Sequence, residues 1–342
     1  MAQQGANNRE RTTRTETSSA AEIFALIREE LAAFEREFAR QMTSEVPLIA
    51  EIGQYVKDGG GKRIRPALLL LSAKLWGRAV TPSMIRFAVV VEFIHTATLV
   101  HDDIIDGAEM RRGRPSVNAR WGNQITVLMG DWLYMRAFEM ALEERNFEIL
   151  DLLTRITRKM TEGELIQLGH IGDLFITRER YFEILRRKTA YLFSACAEIG
   201  GILGGASAVE QQALRDYGMH LGTAFQLIDD VLDFVADDES LGKPAGNDLR
   251  EGKLTLPVIL LLERGEPRHL EMVRAVLADG DYRRVARQEL VAVLEAEGCL
   301  ARAREEARAY AQRASACLRV VTPSPYREAL ERIAEFTVQR TR

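Results

Sequence analysis

From Phe87 to Val100 the chain is apolar apart from Glu92, His95, Thr96 and Thr98, and it then runs into Asp102-Asp103-Ile104-Ile105-Asp106. A helix this apolar has to be wrapped by other elements, because no face of it suits water. Glu92 and His95 interrupt the run, so it lacks the roughly 18 uninterrupted apolar residues expected of a membrane span. The stretch therefore predicts a buried helix in a multi-helix core, with a cluster of carboxylates at its end.

The same arrangement occurs again. Phe225, Leu227 and Ile228 precede Asp229-Asp230-Val231-Leu232-Asp233. In both copies the spacing is DDxxD, and residues four apart share a helix face, so Asp102 aligns with Asp106 and Asp229 with Asp233. Clustered carboxylates at the end of a buried helix repel one another and lose hydration, so they require cations. One such motif alone also suits a solvated acidic helix end. Two copies on two helices favour a carboxylate-lined mouth holding a metal-bound diphosphate. Oxygen ligands without neighbouring cysteine or paired histidine select a hard ion such as Mg²⁺.

The rest of the chain reads as helical. Ser19-Ala-Ala-Glu22 and Ser207-Ala-Val-Glu210 are capping boxes, and Thr81-Pro82 supplies a cap with proline at the first helical position. Long helical segments fit 123–145, 147–168 and 178–203, with shorter ones between 256 and 340. Sustained strand alternation and Asn-Gly hairpin signals are absent. The expected fold class is all-α, a single-domain bundle of roughly ten or more helices. Residues 1–18 read as a disordered polar tail and 19–342 as the helical domain, with a glycine-rich mobile loop from Asp237 to Lys253.

Cationic segments accompany the acidic ones. Gly61-Lys62-Arg63-Ile64-Arg65-Pro66 follows a glycine run and opens an apolar helix, and Arg111-Arg112 follows the first DDxxD closely. Arginine offers forked donors for phosphate and lysine a point charge. His95 lies two turns before Asp102. His101 reads as a hydrogen-bonded helix residue rather than a ligand. Lys188-Thr189 and Gln226 are weaker candidates from chemistry alone, and Lys243 and Lys253 could close over a phosphate. Two basic groups and two acidic groups suit two diphosphates, one gripped through metal and one directly.

The net charge of −4 gives no support for nucleic-acid binding. Cys196, Cys299 and Cys317 are scattered and odd in number, which suits reduced thiols in the cytoplasm.

The stretches GGGKRIRPALLL, VEFIHTATLVHDDIIDGAEMRRGRP, GDWLYMRAFEMA, RRKTAYLFSACAEIGG, GTAFQLIDDVLDF and GKPAGNDLREGKLTLP together resemble the trans-prenyl diphosphate synthases, or polyprenyl synthetases. The resemblance covers most of residues 50–260. It implies helices around a deep central cavity, usually in a homodimer, and chain elongation of an allylic diphosphate with isopentenyl diphosphate. By family roles, Asp102, Asp106 and Asp229 would bind Mg²⁺, three ions per site, with Asp103, Asp230 and Asp233 as motif neighbours. Arg111, Lys188, Thr189, Gln226, Lys243 and Lys253 would hold the allylic diphosphate. Lys62, Arg65, His95 and Arg112 would hold isopentenyl diphosphate. Thr189 and Gln226 are candidates for stabilising the carbocation.

In short-product members of this family a bulky aromatic sits four or five residues before the first aspartate. Here those positions are Thr98 and Ala97, both small. One helical turn rises about 5.4 Å, comparable to one isoprene unit, so stops are set turn by turn. Ile94 lies further along, and Met135 is expected to reach in from a neighbouring helix. The stretch also looks like quinone side-chain synthases, so the resemblance implies a long product, C30 to C50, released with peripheral membrane contact. The alternatives are a short-chain synthase, a non-catalytic subunit of a heteromeric synthase, or a terpene cyclase. The cyclase would need only one diphosphate site, and a partner subunit would have lost motif residues that this chain keeps.

Overall fold

The computed structural model describes residues 22–235 and 246–340. The expected tail 1–18, the start of the first capping box and Lys243 lie outside the described residues. The chain is all-α. In order, the helices are α1 (Arg28–Gln41), α2 (Pro47–Asp58), α3 (Ile64–Ala73), α4 (Pro82–Ile105), α5 (Val117–Trp121), α6 (Asn123–Glu143), α7 (Phe147–Leu168), α8 (Arg178–Leu185), α9 (Tyr191–Gly204) and α10 (Ala208–Val235). They continue as α11 (Asn247–Arg250), α12 (Leu256–Leu262), α13 (Pro267–Asp279), α14 (Arg287–Ala296), α15 (Cys299–Cys317) and α16 (Pro325–Gln339).

Two of the caps anticipated from sequence form. Thr81 accepts from the Met84 amide with Pro82 at the first position of α4. Ahead of α10, Ser207 and Glu210 bond each other's backbone amides. Two apolar clusters share α10. Its first half, Leu214 to Ala224, belongs to the cluster that also holds residues of α1, α3, α4, α6 and α9. Its second half, Leu227 to Phe234, belongs to the cluster that also holds residues of α12 to α15. In α3, Leu68 to Leu71 are all fully buried, each side chain contributing about 2 kcal/mol. Helix α4 is long and apolar enough to cross a membrane, but most of it is buried inside the protein.

Two local features depart from the sequence reading. Residues 178–203 do not form one helix, because a π turn, Arg186–Ala190, separates α8 from α9. The turn is closely packed from both sides. A Cβ on Gly163 of α7 would lie 2.5 Å from the Arg187 Cβ, and one on Gly222 of α10 would lie 2.6 Å from the Ala190 Cα. Both helices approach this turn at glycine distance. The second departure is a two-stranded ribbon, β1 (Met110–Arg111) with β2 (Arg114–Pro115). Its central residues, Arg112 and Gly113, both have positive φ, the requirement of a type I′ turn, with arginine in place of the usual asparagine.

Candidate active site

A cavity of about 790 Å³ opens among α3, α4, α7, the π turn, α10 and the segment 248–255. Asp102 lies on one wall and Asp229 on another. Asp106 is the C-cap of α4 and accepts from Lys253 Nζ at 2.8 Å. Burial works against the Lys253 charge, but Asp106 and Glu251 overcome it and hold the ammonium above its ordinary pKa. Burial pushes the Asp102 carboxyl up to about 6, with Lys188 pulling down and Glu164 and Asp106 pushing further up.

The middle and last aspartates do other work. Asp103, rotated about 100° from Asp102 around the helix, is buried and accepts from Arg111 Nε at 2.5 Å, which anchors that arginine beside the mouth. Asp233 is buried and accepts from the Asp248 amide at 3.1 Å, pinning the entry to α11.

Lys62, Arg65, His95 and Arg112 all line the cavity. Arg65 stacks over Phe193 at 4.8 Å, and loss of solvent lowers its pKa. Arg112, set by the tight turn, donates to the Gly60 carbonyl. Desolvation, joined by Arg65, Arg112, Arg111 and Arg63, drives His95 well below its usual pKa, so it is neutral. Arg63, inside the cationic run, has a structural task instead. It starts α3 in the left-handed region, pairs with Glu35 and Glu92 at 2.7 and 2.9 Å, and stacks on Phe38.

The π turn brings Lys188 and Thr189 to the cavity wall, where Lys188 pairs with Glu164 at 2.6 Å. Gly222 lies one turn before Gln226, so the same close approach lets the Thr189 hydroxyl donate to Gln226 Oε1 at 2.8 Å. Gln226 Nε2 donates to Asp230 Oδ1 at 2.8 Å, and the Tyr181 hydroxyl donates to Asp230 Oδ2. Burial and the neighbouring Asp248 raise the Asp230 pKa, while the two donated bonds oppose them.

Of the chain-length candidates, Thr98 lines the cavity, its hydroxyl tied back to the His95 carbonyl at 2.7 Å. Ala97 and Ile94 are sealed in the core. Met135 does not reach in. It is 64% exposed, because α6 turns Leu133, Ala137 and Met140 inward and Met135 to the opposite side. His101 bonds the Val127 carbonyl at 3.1 Å.

The sequence reading missed Glu92, the buried counter-charge among Arg63, Arg65 and Arg112. It also missed Arg340, at the end of α16. Arg340 lines the cavity, pairs with Asp229 at 2.9 Å and stacks over Phe225 at 4.8 Å. Its only mark in sequence is a basic charge two residues before the last position given, which is common on surfaces.

The residues suit a hard divalent cation. The donors are carboxylate oxygens, and the chain's own cations, Lys253 and Arg340, sit on two of them. Among the described residues no three His, Cys, Asp or Glu groups converge into a ready metal cage. A small cation there would have to complete its shell with phosphate oxygens and water, which is how Mg²⁺ binds. In the lining of the same cavity Arg65 Nε, Gln167 Nε2 and Thr255 Oγ1 are buried with no hydrogen-bond partner among the described residues. Such donors suit an anion.

The family model described as Polyprenyl synthetase matches residues 46–294. The chain is 42% identical over 320 residues to the octaprenyl diphosphate synthase of Escherichia coli K12, covering 94% of this chain and 98% of that one. Its structure is similar to that of a polyprenyl synthase from Caulobacter crescentus complexed with calcium and isoprenyl diphosphate, with TM-score 0.90, 38% identity, and 94% and 98% coverage. It is also similar to a decaprenyl diphosphate synthase from Rhodobacter capsulatus, with TM-score 0.88, 37% identity, and 94% and 99% coverage.

Proposed function

The chain belongs to the polyprenyl synthetase family, and on that premise we propose that it condenses isopentenyl diphosphate head-to-tail with an allylic diphosphate, giving a long all-trans polyprenyl diphosphate and releasing diphosphate. It is a prenyltransferase. The observation that carries the reading is one cavity lined both by Asp102 and Asp229 and by Lys62, Arg65, His95 and Arg112, a combination that accommodates two diphosphates. We take the ion to be Mg²⁺, three per site, held through Asp102, Asp106 and Asp229. When bound, it would stabilise the charge of the departing diphosphate.

The chain's own groups do the rest. Lys188, Arg111 and Lys253 stand around the allylic diphosphate, with Lys243 assigned by family role. Arg65, Arg112, Lys62 and neutral His95 hold isopentenyl diphosphate with its double bond facing the allylic carbon. As the allylic C–O bond ionises, the oxygens of Thr189 and Gln226 face the carbocation. The isopentenyl double bond then forms the new C–C bond, and the adjacent proton leaves with the released diphosphate. Thr98, small and with its hydroxyl already paired, leaves room for a growing tail. A product of this length is insoluble in water, which supports its release at a membrane surface. The enzyme is assigned to the cytoplasm on its unpaired thiols.

Diphosphate release tests this reading. It is expected to require both substrates and a divalent cation, and release without isopentenyl diphosphate would contradict it. Because the Asp102 carboxyl titrates near 6 and must be ionised to bind metal, the half-saturating Mg²⁺ concentration should rise as pH falls from 7 to 5 and stay flat above 7.5.

We also propose a homodimer. Val127, Leu128, Met135 and Leu142 form an exposed apolar stripe along α6, continued by Phe147 and Leu165 of α7. Sedimentation velocity should give twice the chain mass of 38.5 kDa, and a monomer at micromolar concentration would remove this assignment.

A further inference from the structure

We propose that Tyr181 is a positioning residue of this active site, acting through Asp230 to fix which end of the Gln226 amide faces Thr189. The inference rests on the prenyltransferase reading above and gives a role to Tyr181 and Asp230, which that reading leaves without one.

The chemistry of each link sets the direction of the next. Gln226 turns its NH₂ end to Asp230, donating to Oδ1 at 2.8 Å, while the Tyr181 hydroxyl donates to Oδ2. The opposite end is then Oε1, which accepts the Thr189 hydroxyl proton at 2.8 Å. With that proton committed, the Thr189 oxygen has only lone pairs left to present, and Oε1 keeps one more. Both groups line the cavity, so the wall there is partially negative. That sign suits a carbocation. A flipped amide would put N–H against Thr189 and turn the hydroxyl proton outward, reversing the dipoles at the point where positive charge develops.

Asp230 is thus the pivot, and Tyr181 holds it. The Tyr181 hydroxyl donates to Oδ2 while Gln226 takes Oδ1, so both carboxyl oxygens are engaged and the group cannot rotate freely. Tyr181 is buried and its ring sits edge-on to Phe182 at 5.2 Å, which fixes the phenol in turn. The relay crosses from α8 to α10 and back to the π turn. Asp230, 3% exposed and bonded at both oxygens, is therefore an orienting group, and its place in a DDxxD motif does not make it a metal ligand.

The test uses the full chain with Tyr181→Phe and Asp230→Asn. Phenylalanine keeps the ring and removes only the hydroxyl. Asparagine keeps the shape but puts an amide where two acceptors are needed. Tyr181→Phe is expected to lower kcat about tenfold and Asp230→Asn about a hundredfold. Neither should alter by more than about twofold the Kd of an allylic thiolodiphosphate, whose bridging sulfur prevents ionisation. Half-saturating Mg²⁺ should also stay at the wild-type value. Wild-type turnover in the same assay keeps the parent reading separate from this one. The proposal is overturned if Tyr181→Phe retains wild-type kcat, if analogue binding weakens in step with kcat, or if Asp230→Asn raises the Mg²⁺ requirement as a lost metal ligand would. Should Asp230→Asn fail to fold in a thermal melt, Tyr181→Phe decides the matter alone.

Discussion

Asp102→Asn and Asp229→Asn should each lower kcat about 10²- to 10³-fold, while the metal-free Asp102→Asn protein melts higher than the wild type. The loss follows from removing a carboxylate that would hold the cation stabilising the leaving diphosphate. The opposite sign for stability follows from linkage. Burial raises the Asp102 pKa to about 6, above the ordinary 3.8. A carboxyl raised in the folded state favours folding below its unfolded pKa and loses that contribution as pH rises through the folded value. At pH 7 its charge therefore costs stability, and asparagine removes the cost, a gain of a few degrees in Tm. Asp229 differs, because Arg340 pairs with it and stacks on Phe225. Asp229→Asn leaves that guanidinium short of its partner and should not stabilise. Steady-state kinetics with melts in chelator measure both. Retention of more than a tenth of wild-type kcat by Asp102→Asn would contradict the assignment.

Thr98→Phe should convert a long product into a short one. Thr98 is the chain-length candidate that lines the cavity, one turn before Asp102 on the same face of α4. A ring at this position would occupy the path of the tail about one turn, roughly 5.4 Å, from the metal-binding carboxylate. The first one or two condensations should proceed, and elongation should then stop, with isopentenyl consumption per product falling accordingly. Ala97→Phe is a different experiment, because Ala97 is sealed in the core and a ring there overpacks it. An unchanged product distribution from a folded Thr98→Phe enzyme would place the tail elsewhere.

The acidic and cationic halves of the site were legible because each carried charge where the surrounding pattern demanded apolar residues. Asp102 and Asp229 end or interrupt helices that are otherwise buried, and Arg65 opens one. What stayed hidden depended on tertiary approach. The π turn carrying Lys188 and Thr189 is packed against Gly163 and Gly222 on two other helices, and no local propensity in 178–203 announces it. The orientation of Met135 could not be read because α6 is apolar on all sides, with Val127 and Leu128 outward as well as Met129 and Leu133 inward. Arg340 and Glu92 acquired meaning only from the cavity they line. The Arg112-Gly113 turn lacks the asparagine that usually marks its type, so the ribbon escaped notice.

The central claim is elongation to a long all-trans chain. Wild-type protein would be given Mg²⁺, labelled isopentenyl diphosphate and a geranyl, farnesyl or geranylgeranyl primer, with products dephosphorylated and resolved by length. The account predicts a ladder that accumulates at C30 to C50. A distribution ending at C15 or C20 would contradict it, leaving the chemistry of Asp102 and Asp229 in place and the role of Thr98 refuted.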